Sequence, residues 1–203
     1  MAFTVFTLIV ILFSIIIHEI AHGSVAYYLG DTTAKNAGRL SLNPIKHIDP
    51  LGSVILPLFL LLLRSPFLVG WAKPVPVNPF NFRDRKWGEL KVSIAGPGVN
   101  FLIGIIFSLF ARFLPLESPL FIPFGLIAVY NFLLAIFNLI PVPPLDGSWI
   151  LFSLLPERMA NFRMAFSQYG IYILIFFIIF GLGWVSTASV LLFSLFSGQG
   201  FLF

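Results

Sequence analysis

The stretch "FSIIIHEIAHGSVAYYLG", residues 13–30, sets two histidines and a glutamate inside a run of apolar residues. His18 and His22 are four residues apart, so on a helix they project from nearly the same face. Two imidazoles so placed can occupy adjacent corners of a tetrahedral zinc site, and Glu19 between them can reach a water there as general base. The bland alternative is a hydrogen-bonded polar cluster that holds helices together. Ionisable groups inside a membrane span are costly, which favours the metal site over that alternative.

The surrounding chain makes a membrane span the expected setting. Of its 203 residues, 59% are hydrophobic and only 10% are charged, and the mean hydropathy is +1.00. A soluble domain of this length carries far more charge. There are no cysteines, so disulfides and thiolate metal sites are excluded, and any transition metal must be held by His and carboxylate. The N-terminal "MAFTVFTLIVILF" lacks a basic n-region and reads as the start of a retained span.

The first apolar segment runs from about Phe3 to Leu29, long enough to cross a bilayer. Residues 51–63, "LGSVILPLFLLLL", are too short and are interrupted by Pro57, which suggests a re-entrant or broken segment. The Pro-rich chain that follows, including "GWAKPVPVNP" at 70–79, reads as an extended loop, because each proline biases its predecessor toward extended geometry. Further spans are expected at about 92–114, 120–137 and 169–196. The fold class is therefore an all-α, multi-pass membrane bundle of about four full spans, forming one domain over 1–203 with a catalytic core at about 3–155.

Lys35, Arg39, Lys46, Lys73, Arg83, Arg85, Lys86 and Lys91 fall in loops that share one side if residues 51–63 re-enter. The positive-inside rule puts those loops in the cytoplasm and the N-terminus outside, as in a prokaryotic plasma membrane. Arg112 is the one dissenter. The net charge of +4 is spread between apolar runs, which points to a lipid bilayer as partner and not to nucleic acid.

A hydrolytic zinc needs a third protein ligand and an open position. Asp84 and Glu89 lie among basic residues, where solvated charge pairing is expected; Asp31 and Asp49 flank the first loop, His47 reads as a surface histidine of that loop, and Glu117 and Glu157 sit in polar turns. Asp146 differs. It lies in "NLIPVPPLDG", residues 138–147, where three prolines break a helix at membrane depth. Such a break is tolerated only where it is buried in protein or lines a wet cavity. Asp146 is the expected third ligand, although an Asp there also suits a helix N-cap.

"HEIAH", "GWAKPVPVNP", "AGPGVN" at 95–100 and "NLIPVPPLDG" together resemble the site-2 protease family of intramembrane zinc metalloproteases, over about residues 10–155. The resemblance implies one zinc ion on His18, His22 and Asp146, Glu19 as catalytic base, and a transmembrane protein as substrate. It also implies that Asn138 positions the scissile peptide or stabilises its oxyanion, and that Asn100 is structural or positions substrate. No span precedes "HEIAH" and no PDZ or CBS domain is expected, as in compact members. The rival readings are a non-proteolytic zinc-binding membrane protein and a metal transporter.

Overall fold

The structure, a computed structural model, describes residues 2–63, 72–84 and 87–200. Gly70 and Trp71 of the Pro-rich loop, and Arg85 and Lys86 among the orientation-setting residues, lie outside the described residues. The elements are α1 (Ala2–Tyr28), α2 (Thr33–Asn36), α3 (Leu56–Leu62), α4 (Gly88–Arg112), α5 (Phe121–Leu139), α6 (Asp146–Leu154) and α7 (Ala160–Ser197), joined by 3-10 and π turns. No strand occurs among the described residues. Four helical segments, beginning at Phe3, Gly88, Phe121 and Glu157, are long and apolar enough to cross a membrane.

α1 ends at Tyr28, and the chain turns at Gly30, whose φ of 109° is readily adopted by glycine. The chain then leaves and returns to the same place. The Arg83 N–H donates to the Leu29 carbonyl at 2.8 Å, and Phe82 packs with Ala26, Leu29 and Val92. Residues 29–31 and 82–83 thus meet at one end of the bundle, and α3, at seven residues, is too short to cross a bilayer.

α4 is the central helix and packs most extensively on α5 and α1. It runs antiparallel to α1, since His18 meets Asn100 while His22, further along α1, meets Val92. On its far half, Ala111 packs with Phe121, Leu126, Ala128, Val129 and Phe132 of α5 and Phe193 of α7. Between spans in lipid, van der Waals fit and interhelical hydrogen bonds replace the hydrophobic drive. α7 turns an apolar face outward, with Tyr172, Phe176, Ile179, Phe180 and Trp184 exposed where lipid would cover them.

α7 begins at Ala160, ahead of the span expected from about Tyr169. Residues 160–168 are less apolar than the span, yet they contain no helix breaker. The edge of hydropathy is not the end of the helix.

Candidate metal centre

α1 carries His18 and His22 one turn apart, with ring centroids 4.7 Å apart and planes at 79°. Room for both comes from α4. A Cβ added to Gly96 would stand 2.3 Å from His22 Nε2 and 2.6 Å from His18 Nε2. Only glycine lets α4 approach the two imidazoles this closely, which gives "AGPGVN" a physical meaning.

The outer nitrogens of both rings are occupied. His22 Nδ1 lies 2.7 Å from the Val92 carbonyl, which can only accept, so Nδ1 carries the proton. His18 Nδ1 lies 2.6 Å from Asn100 Oδ1. Asn100 is oriented in turn, because its Nδ2 donates to the Ser14 carbonyl at 3.3 Å and to Asn131 Oδ1 at 2.7 Å. Asn131 Nδ2 donates to Ser14 Oγ at 2.9 Å and to the Ile127 carbonyl at 2.8 Å. Ser14, Asn100 and Asn131 are all buried. This chain of amides holds His18 in its Nδ1–H tautomer, so both Nε2 lone pairs face inward.

Asp146 completes the group from the other half of the chain. The break at 140–145 ends α5 and starts α6, and a Cβ on Gly147 would lie 2.3 Å from the Leu139 carbonyl oxygen. Glycine there lets α6 fold tightly against the end of α5. No side-chain capping bond forms at the start of α6. The Asp146 carboxylate turns to the histidines instead, with Oδ2 at 3.0 Å from His18 Nε2 and 3.2 Å from His22 Nε2. The two Nε2 atoms are 3.0 Å apart.

Three potential lone-pair donors converge within 3.2 Å of one another. A shared positive charge, a proton or a metal ion, holds such a group together. Ligands at ~2.0–2.1 Å on a tetrahedral ion stand about 3.3 Å apart, close to the spacings found. Two imidazole nitrogens and one carboxylate oxygen fit a catalytic zinc site with an open position. His18, His22 and Asp146 form the group of potential metal ligands among the described residues.

The three residues line a cavity of about 460 Å³ with Glu19, Val75, Asn138 and Trp149 among its other walls. Glu19 Oε2 accepts the Val75 backbone N–H at 2.7 Å, which places the loop at 74–77 across the carboxylate. Asn138 donates to the Leu134 carbonyl of its own helix at 2.9 Å. Asn100 is turned to His18 and is not among the cavity-lining residues.

Two residues, His47 and Glu89, differ from their sequence reading, and Asp31 has more partners than its place in a turn implies. His47 is buried, with Nε2 2.7 Å from the Ser41 carbonyl, and its own carbonyl accepts the Lys73 N–H at 2.9 Å. Asp31 is fully buried and accepts from the Asn78 N–H at 2.7 Å, the Asn81 amide at 2.8 Å, and the Thr33 hydroxyl and N–H. Burial alone would raise its carboxyl, but these four donors outweigh that and hold it below the usual carboxylate range. Asp84 pairs with Lys91 at 2.5 Å as expected, whereas Glu89 lines the cavity. Together Asp31 and His47 tie down both ends of the loop that crosses Glu19.

Known proteins point the same way. The sequence model of Peptidase family M50 matches residues 115–182. YwhC of Bacillus subtilis (strain 168), named as a candidate zinc metalloprotease, is 38% identical over 189 residues, covering 89% of this chain and 80% of YwhC. Rip2 of Mycobacterium tuberculosis, named in the same way, is 30% identical over 138 residues, and the match spans 52% of its length. Zinc metalloprotease MJ0392 of Methanocaldococcus jannaschii is 34% identical over 86 residues, 41% of this chain and 25% of that protein. No solved structure matches the chain. With identity to YwhC sustained across most of both chains, the protein belongs to peptidase family M50, the site-2 protease family.

Proposed function

We propose that this chain is a zinc-dependent intramembrane endopeptidase that hydrolyses a peptide bond within or next to a transmembrane segment of a membrane-protein substrate. His18, His22 and Asp146 hold one zinc ion, and Glu19 is the general base. The observation that carries the reading is the convergence of three inward lone pairs on the wall of a cavity that also contains Glu19. Zinc in that position supplies Lewis acidity for the peptide carbonyl and for an attacking water.

The protein's own groups do the rest. Val75 N–H holds one Glu19 oxygen, which orients the other to take a proton from water and return it to the leaving nitrogen. One amide hydrogen of Asn138 is used within its helix, and the second is available to the developing oxyanion, an interaction of the kind worth about 3 kcal/mol. A substrate helix must unwind before its backbone is attacked. The extended chain at 74–77 offers backbone for the unwound segment to pair with as an added strand. The single domain spans 1–203, with the basic loops and the cavity mouth toward the cytoplasm and the N-terminus outside.

The test uses purified wild type and Glu19→Gln in detergent, with bound zinc measured alongside cleavage of a model transmembrane substrate. Zinc in both with cleavage by the wild type alone is the expected result. A wild type that binds no zinc refutes the proposal, and so does cleavage at the wild-type rate by Glu19→Gln.

A further inference from the structure

Glu89 stands out among the cavity-lining residues because neither the zinc site nor the base uses it. It opens α4 and lines the same cavity as His18, Glu19 and His22. The two other carboxylates there are engaged: Glu19 by the Val75 N–H, and Asp146 by the histidines. Its neighbour Asp84 is paired with Lys91. Glu89 makes no hydrogen bond or ion pair among the described residues, and no Lys or Arg of those residues lines the cavity. In a chain of net charge +4, the wall is therefore locally acidic.

Position adds a register. Glu89, Ser93, Gly96 and Asn100 follow one another at helical spacing along α4, and Gly96 touches both imidazoles. Glu89 thus lies about 10 Å along the axis from the metal ligands, toward the loop end, at ~1.5 Å per residue. An extended peptide covers that distance in about three residues at ~3.3 Å each.

Resting on the protease reading above, we infer that Glu89 is a specificity-determining residue that receives a Lys or Arg about three residues from the scissile bond, on the flank of the substrate's span nearer the basic loops. The charge pattern supports this choice. A substrate that obeys the positive-inside rule carries its basic flank on the side where this chain carries Lys35, Arg39, Lys46 and Lys73. Those lysines and arginines repel such a flank, and a carboxylate on the cavity wall with no partner among the described residues gives one cation a place to sit.

The test compares transmembrane peptides that differ only in bearing Lys, Gln or Glu three residues from the cut. Binding is measured by fluorescence anisotropy on full-length Glu19→Gln, with and without Glu89→Gln or Glu89→Lys, and cleavage is measured with the Glu19-intact chains. The Lys peptide should bind about twofold to fivefold more tightly than the Gln peptide, as for a partly solvated ion pair. Glu89→Gln should remove that ratio, and Glu89→Lys should reverse it in favour of the Glu peptide. In cleavage, the change should appear in KM. A ratio that is the same with and without Glu89 overturns the inference, whatever the cleavage rates. A Glu89-dependent ratio with no cleavage by wild type would instead sink the protease reading and leave the cation subsite standing.

Discussion

Replacing Gly96 with alanine should dismantle the metal site without unfolding the protein. The added Cβ would lie 2.3 Å from His22 Nε2 and 2.6 Å from both His18 Nε2 and Cε1, whereas ordinary contact begins near 3.4 Å. The imidazoles must retreat by about 1 Å or rotate, because α4 is held on its other side by α5 and cannot back away freely. Rotation breaks the Nδ1 bonds to Asn100 and Val92. Loss of such outer bonds costs about 10- to 100-fold in metal affinity, and a 1 Å misplacement of reacting groups costs about 10²-fold in rate.

Gly98→Ala is the matched control. Nothing lies within 4 Å of a Cβ at Gly98, and the residue is exposed. Both changes raise helix propensity by up to ~1 kcal/mol, so general stability does not separate them. Zinc affinity by chelator competition does, with thermal unfolding in detergent as the check on folding. Gly98→Ala should bind zinc as the wild type does, and Gly96→Ala should bind at least tenfold more weakly. Wild-type zinc affinity in Gly96→Ala would refute the close packing of α4 on the histidines.

Other substitutions probe the supports of the site. Asn131→Leu removes the donor and acceptor that orient Asn100, so zinc affinity should fall about tenfold and the His18 15N shifts should show mixed tautomers; an unchanged tautomer would leave Asn131 as packing only. Asp31→Asn should lower stability at neutral pH by about 2 kcal/mol, as for bonds to a charged acceptor. Because the folded carboxyl titrates below its unfolded value near 3.9, the contribution of Asp31 is complete above that pH. It is lost as pH falls through the lower folded value, so wild type and Asp31→Asn should converge in acid when unfolding is followed against pH. Val77→Pro removes a backbone donor beside the cavity while sparing the Val75–Glu19 bond, and slower cleavage through a raised KM is expected if substrate adds as a strand.

The two halves of the candidate metal site stand out in sequence for a shared reason. His18, Glu19 and His22 in an apolar run, and Asp146 after a triple-proline break, each violate what a lipid-facing helix tolerates. Asn131 carries the same kind of signal in "AVYNFLLA", and a survey of polar residues within spans, not only of ionisable ones, would have raised it. Gly96, Asp31 and Glu89 were not legible in the same way. Their meaning depends on partners from other elements, such as the α1 imidazoles against Gly96 and the loop amides of Asn78 and Asn81 on Asp31. Local composition even pointed the wrong way for His47, a loop histidine that proves to be buried.

Zinc K-edge absorption of the purified full-length chain tests the central claim most directly. The expected spectrum is that of one ion per chain with two imidazole nitrogens and oxygen ligands at about 2.0–2.1 Å, and it should lose an imidazole in His22→Ala. A chain without stoichiometric zinc, or a zinc shell with fewer than two imidazoles, would contradict the meeting of His18, His22 and Asp146 on one metal.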